Sequence, residues 1–523
     1  MNGDLSRNTF DQLKHYSRVV MQQGRVQLDA DWNEQVAILL HYLQTLAADL
    51  IGPHGGPEDI FTNQADREGP IRKNLGFDIR SAQAGEIDTI PFLSDDEKRE
   101  LKELVAGNAS PMFISKGRYY VGGRLCENDR NLLYSLQPDY PLIDAKNLPI
   151  AEGKYFEGIP VGQPLLVYLD VWERHITPIE DSAIREVALG GADTAARAKL
   201  VCQVKIKGDS PISLPGGDET ACVKVDRLWP ELVKQFQPVN RGLLRAIAKP
   251  TTKQDADDPC ITAPDARYRG AENHLYRVEV HKGGTAGTAT FKWSRENGSI
   301  VAPVLKKQSD NVLIVGGFRD SARWFTDGQW VEMTYDAIDL QGRTGTIFKL
   351  MKVDGETLTI DPAKIYGMVF NPAETVKDAA GNDVPKFNHL KVRAWDHQEI
   401  GENTLQEGAV KITETESNKY DDGWMELEDG VQIQFVKAKE APEHIYRTGD
   451  YWLIPARIVT GDVEWPEAPD PEHPQIMQAK ALPPHGVEHH YAPLAIITLG
   501  VGNRVTVNAD LRHKVEAQGK CVP

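Results

Sequence analysis

Three short clusters in this sequence carry side chains whose types and spacing could do chemistry. Asp29, Asp31 and Glu34 bring carboxylates close together, the raw material of an acid/base pair such as glycoside hydrolysis uses. The same residues also spell a helix start. Asp31 suits an N-cap, and Glu34 three residues on completes an acidic capping box, which accounts for two of the three carboxylates without catalysis. His485, Glu488, His489 and His490 form the second cluster, and histidine with carboxylate at short spacing can bind zinc. Their H-x-x-x-H-H spacing matches no helix-borne zinc pattern, however, and Pro483-Pro484 before them argues for a loop. Imidazoles there serve as well by hydrogen-bonding backbone. Trp172-Glu173-Arg174-His175 is the third, an apolar run ending in charge, and reads as a polar network at a domain face. Ser294 lacks the G-x-S-x-G frame of a nucleophile elbow. No glycine-rich phosphate cradle occurs. The residues thus point to no catalytic set, no cofactor and no metal, and to a protein that is not an enzyme.

The carboxylate cluster opens the most distinctive element of the chain. Trp32, Val36, Leu39, Leu43, Leu46 and Leu50 step alternately by four and three residues, the heptad seam of a helix that packs on another helix. Gly52-Pro53 ends it, because glycine accepts a left-handed cap and proline cannot continue the ladder. From 32 to 51 the rod is roughly 30 Å long. Its seam is too apolar for water, and Ile38, Leu40 and Tyr42 lie off the seam, so more than one face is expected to be buried. The six seam residues are the candidate assembly interface, within the chain's own core or against copies of itself.

The chain has 523 residues, enough for two to four domains with real cores. A hydrophobic share of 41% and a charged share of 26% are those of ordinary folded proteins. The net charge of −17 argues against a nucleic-acid footprint, which needs a basic face. No apolar run reaches the length of a membrane span. Met1-Asn2-Gly3-Asp4-Leu5-Ser6-Arg7 lacks the layout of a secretion signal, which implies synthesis in the cytoplasm and any exit by a route without a cleaved leader. Five cysteines, far apart and without a C-x-x-C pair, exclude a disulfide framework; Cys126 and Cys202 fall in strand-like runs as small buried residues.

Along the chain, a second helix is expected at 94–105, capped by Ser94, and another near 226–236. From about 112 the pattern is strand and turn. Gly122-Gly123 turns a hairpin, and 164–172 is a buried central strand. Alternating runs at 274–281 and 288–295, with an Asn297-Gly298 turn after them, have one wet face. Further strands are expected near 312–316, 329–335, 347–353, 357–361, 388–395, 431–436, 451–459, 493–499 and 504–508. The fold class is mainly β (α+β): an N-terminal helical segment followed by two or more antiparallel sandwich- or barrel-like units. The division is 1–110 as arm and helical docking region, 111–270 and 271–440 as β-rich domains, and 441–523 as a C-terminal β segment.

Several stretches together carry a family resemblance. Phe10-Asp11-Gln12-Leu13-Lys14-His15-Tyr16-Ser17-Arg18-Val19-Val20-Met21-Gln22-Gln23-Gly24-Arg25-Val26-Gln27-Leu28-Asp29-Ala30-Asp31-Trp32-Asn33-Glu34-Gln35 resembles the opening of an uncharacterised domain family found in gene clusters of phage-tail-like contractile injection systems. Val171-Trp172-Glu173-Arg174-His175, Phe291-Lys292-Trp293-Ser294-Arg295-Glu296-Asn297-Gly298, Gly449-Asp450-Tyr451-Trp452-Leu453-Ile454-Pro455-Ala456-Arg457 and Pro484-His485-Gly486-Val487-Glu488-His489-His490-Tyr491-Ala492-Pro493-Leu494 are similar to it as well. The resemblance supplies no catalytic residues. It implies a structural component of such a particle, at the baseplate or as an exterior attachment. The partners implied are other particle subunits (baseplate, sheath or tube proteins) and copies of the chain itself, on the order of three or six in a symmetric assembly. Assembly would follow synthesis in the cytoplasm, with release of the particle from the cell open. Two rivals are a module binding a target-cell surface glycan, with some of the ten tryptophans as stacking platforms, and a hydrolase of envelope polymer.

Overall fold

A computed structural model describes residues 2–57, 75–90, 93, 95–106, 111–150, 159–208, 220–237, 240–249, 267–317, 323–377, 383–399, 405–417, 419–437, 443–470, 474–500 and 504–515. The protein is mainly β, with an N-terminal helix, several antiparallel sheets and a six-stranded barrel.

The run at 164–172 becomes the long strand Pro164–Ile176, central in an antiparallel sheet ordered 505–510, 490–499, 164–176, 197–207. Its apolar residues do not alternate because both faces are covered. Leu165, Val167, Leu169 and Val171 face a core shared with Ile114, Tyr119 and Cys126; Leu166 faces the other way, against Val225 and Trp229 of helix Ala221–Phe236. That helix begins five residues before the expected 226, because the Thr220 hydroxyl caps it by accepting from the Val223 N–H at 3.4 Å. Cys202 packs beside the same core as Cys126. The Gly122-Gly123 hairpin forms as read, joining Gly117–Val121 to Arg124–Asn128 with both glycines at positive φ. Strand His54–Pro57 pairs with Gly117–Val121 on one side and, in parallel, with Lys514–Val515 on the other. The expected second helix is Asp95–Ala106; its proposed cap Ser94 lies outside the described residues.

The alternating runs at 274–281 and 288–295 build a six-stranded sheet with Tyr451–Arg457. It packs on a four-stranded sheet around Phe291, Phe435 and Trp452. Six strands between 301 and 395 close into a barrel filled by Val331, Phe348, Leu358 and Val392, with Thr375–Lys377 and Asp383–Pro385 paired apart from it.

Charged side chains join these bodies. Arg174 donates to Asp336 at 2.7 Å, and Asp336 bonds His389 at 2.6 Å, so Arg174 of the Trp172–His175 stretch meets the barrel through a polar network. Beside it, Lys391 pairs with Glu180 and, at 2.7 Å, with Asp339. Burial by itself would raise the Glu180 carboxyl, but Lys391 and the Thr177 hydrogen bonds outweigh it and take it down to about 2. A depressed carboxylate stabilises the fold fully above its unfolded pKa and loses that contribution as pH falls through its folded pKa. Glu180 is therefore expected to contribute about 3 kcal/mol at neutral pH, lost between pH 4.5 and 2. Urea unfolding of Glu180→Gln beside the unaltered chain, at pH 6 and again near pH 2.5, checks this: the gap between them should close on acidification.

Candidate assembly surface

Helix α1, Asp29–Ile51, has its faces reversed from those of an ordinary surface helix. Trp32, Val36, Leu39, Leu43, Leu46 and Leu50 all point to solvent, from 39% exposed at Val36 to 70% at Trp32 and 76% at Leu50. Only Ala30 and Ile38 are fully buried. The expectation that several faces are covered is corrected here: Leu40 and Tyr42 are exposed with the seam. The face turned inward carries Asp31, Glu34, Ile38, His41, Gln44 and Ala48.

The N-terminal arm explains this inversion. Residues 2–28 run outside the sheets, tied to the sandwich by Asn297, whose side-chain N–H donates to the Gly3 carbonyl at 2.9 Å, and by Arg457 donating to the Ser6 carbonyl at 3.3 Å. The arm then lies along α1 and supplies polar partners. Ser6 gives its N–H and hydroxyl to Asp29 at 3.0 and 2.6 Å, Thr9 bonds Glu34, the Val19 N–H donates to Gln35 at 2.8 Å, and the Phe10 ring meets that of His41. With its polar side matched by the chain's own backbone and hydroxyls, the helix presents its apolar side outward. Arm residues Leu13, Tyr16, Val20, Val26 and Leu28 extend the exposed apolar surface. At the other end, Gly52 N–H bonds the Ala48 carbonyl at 2.8 Å and the helix stops where expected. Gly123, at φ +75°, sits against α1: a Cβ there would lie 1.9 Å from the Gln44 carbonyl oxygen, so only glycine lets the hairpin seat the helix.

The carboxylate cluster is absorbed by this docking. The helix starts at Asp29 after Leu28, three residues earlier than an Asp31 cap requires, and Asp31 instead accepts from the Leu28 N–H at 3.3 Å. Burial would raise the Asp29 carboxyl, but the Ser6 hydrogen bonds outweigh it and hold it below the usual carboxylate range. Asp29, Asp31 and Glu34 each have a local partner, and nothing brings them to a common point.

The histidine cluster disperses. His489 bonds Asp170 at 2.7 Å, Asp170 holds Lys205 at 2.6 Å, and the His489 ring lies between Trp172 and Tyr491. His485 meets the Tyr451 ring, and His490 opens strand His490–Leu499 with its Nε2 3.6 Å from Glu488. Ser294 is buried at the end of strand Thr290–Ser294, its hydroxyl accepting from the Gly298 N–H at 3.1 Å. Of the tryptophans, Trp172, Trp229, Trp293, Trp324, Trp330, Trp395 and Trp452 are buried, Trp424 and Trp465 are half-buried, and Trp32 on α1 is exposed. Among the tryptophans, Trp32 alone leaves its ring exposed to solvent.

A buried ionic cluster between sandwich and barrel was not legible in sequence. Arg277 bonds Glu279 at 2.6 Å, and Lys292 lies 3.3 Å from Glu279, pairs with Glu332, and sits 4.3 Å over the Trp395 ring. His281 approaches Glu332 at 3.5 Å. Burial alone would raise both carboxyls; Arg277 with Lys292 for Glu279, and Lys292 with His281 for Glu332, hold them well below the ordinary range. Two cations and two anions compensating one another this closely make a rigid join.

No helix among the described residues is long and apolar enough to cross a membrane. No curated protein and no solved structure matches the chain. One family model does, over residues 1–86, 104–213 and 217–505, and that span makes the chain a member of the family described as "Family of unknown function (DUF6519)".

Proposed function

We propose that the protein is a structural, non-enzymatic subunit of a phage-tail-like contractile injection particle, at its baseplate or exterior, and that it assembles through the arm and α1. The observation that carries this reading is the apolar heptad stripe of α1, turned outward while the polar face of the same helix is held by the chain itself. Contiguous apolar surface of this kind marks an interaction site. The resemblance of residues 10–35 to a family from contractile-injection gene clusters supports the particle as its destination.

Magnitudes set the kind of contact. Six half-exposed apolar side chains going from water to an interface contribute on the order of 5–10 kcal/mol. Association costs about 4–15 kcal/mol in lost freedom. The stripe by itself thus gives a reversible contact, and a lasting one needs the apolar arm beside it or several copies acting together. Cryo-EM of particles produced from the intact gene cluster tests the proposal. The chain should be found in the map with Trp32, Leu39, Leu43 and Leu46 covered by a neighbouring subunit, and deletion of residues 1–51 should remove it from the particle. Particles without this chain, or with the stripe still facing solvent, would overturn the reading.

A further inference from the structure

Ligand-type atoms do gather in this molecule, away from the histidine cluster of the sequence. His54, Asp226 and His513 each place one such atom within 4.8 Å of the other two. Cys222 joins them, its Sγ 3.6 Å from His513 Nε2 and 3.9 Å from an Asp226 oxygen, while His513 Nε2 is 3.2 Å from that same oxygen. Three separate parts of the fold converge here. His54 opens the strand that follows α1, Cys222 and Asp226 are one turn apart on helix Ala221–Phe236, and His513 immediately precedes the strand Lys514–Val515 that pairs with His54–Pro57.

The distances suit a tetrahedral ion. Zinc–nitrogen and zinc–oxygen bonds of about 2.0–2.2 Å and zinc–sulfur bonds of about 2.3 Å put ligand atoms roughly 3.3–3.7 Å apart. The three separations among Cys222, Asp226 and His513 lie close to that range, and His54 places a ligand atom within 4.8 Å of those of Asp226 and His513. The surroundings orient the ligands as well. The Tyr119 hydroxyl lies 3.2 Å from His54 Nδ1 and accepts from the His513 backbone N–H at 3.0 Å, which leaves His54 Nε2 as the ligating nitrogen. Tyr119 itself is fully buried, and Trp229 sits edge-on to His54.

We propose that Cys222, Asp226, His513 and His54 bind one divalent metal ion of the zinc class in a closed, structural site. Thiolate with two imidazoles selects a borderline-soft ion over magnesium or calcium. Four protein ligands leave no open position for substrate, which makes the ion a staple rather than a catalyst. On binding, the Cys222 thiol gives its proton to solvent and its sulfur bonds the metal as thiolate. The ion then ties together the root of α1, the helix on the central sheet and the last described strand. This holds whatever α1 docks against.

The test is a titration of the chelator-stripped full chain with Co²⁺, followed by displacement with Zn²⁺. One Co²⁺ per chain, with a thiolate-to-metal charge-transfer band and tetrahedral visible bands, is the expected result. In Cys222→Ser the charge-transfer band should vanish, and in His513→Ala affinity should fall at least about 100-fold, since even partners that only orient metal ligands are worth 10- to 100-fold. Tyr119→Phe should weaken binding without changing the spectrum. Substoichiometric uptake by the unaltered chain would overturn the proposal, as would a charge-transfer band that persists in a folded Cys222→Ser chain.

Discussion

A chain carrying Leu39→Glu and Leu43→Glu should fold with its thermal midpoint essentially unchanged and fail to enter the particle. Both side chains are more than half exposed in the free subunit, so charge there touches little of the core. In an assembled interface the same positions lose apolar burial worth about 3 kcal/mol together and place two unpaired carboxylates against an apolar partner. That is more than a hundredfold in affinity before the carboxylate penalty is added. Co-purification with particles, measured beside the thermal melt of the isolated chain, separates the two effects. Incorporation at the level of the unaltered chain would remove the stripe from the assembly mechanism. A large drop in melting temperature would instead mean that the stripe belongs to the subunit's own core.

The second large effect belongs to Lys292. It is 3% exposed, and its ammonium faces both Glu279 and Glu332. Lys292→Met should destabilise the protein by about 3–5 kcal/mol, the usual cost of removing one partner from a buried ion pair. Most of that cost is the stranded charge on Glu332, because Glu279 keeps Arg277. Lys292→Met with Glu332→Gln should therefore recover much of the loss, and urea unfolding of the four chains of that cycle measures the coupling. The pH dependence should weaken as well. In the unaltered protein Glu332 is held below its ordinary range, so its stabilisation is present above the unfolded pKa and lost in acid. In Lys292→Met burial is opposed by His281 without Lys292, so that carboxyl rises from its position in the unaltered protein and less stability is lost as pH falls.

Local signals were legible because they are local. The Gly122-Gly123 turn needs two positive φ angles, and its dipeptide says so before any neighbour is known. The double-sided burial of 164–172 is written in the consecutive apolar residues Leu165 to Leu169. The stop at Gly52-Pro53 is a property of those two residues. The cap at Asp31 was misplaced because an N-cap depends on what else can satisfy the first turn. Here Asp31 falls at the third helical position and accepts from the Leu28 N–H, while Ser6, 23 positions upstream, donates to the Asp29 carboxylate and fixes where the helix begins.

Sequence alone determined that this chain is mainly β, that one helix near its start carries an apolar heptad stripe, and that the expected turns fall where glycine permits them. Periodicity and backbone sterics act over a few residues and need no knowledge of the rest. Only the tertiary structure decided that the stripe faces outward, that the His485–His490 imidazoles disperse, and that His54, Cys222, Asp226 and His513 converge. Those outcomes depend on which distant segments pair. The parallel register of 54–57 with 514–515 is set by the whole fold, and it alone brings His513 beside His54.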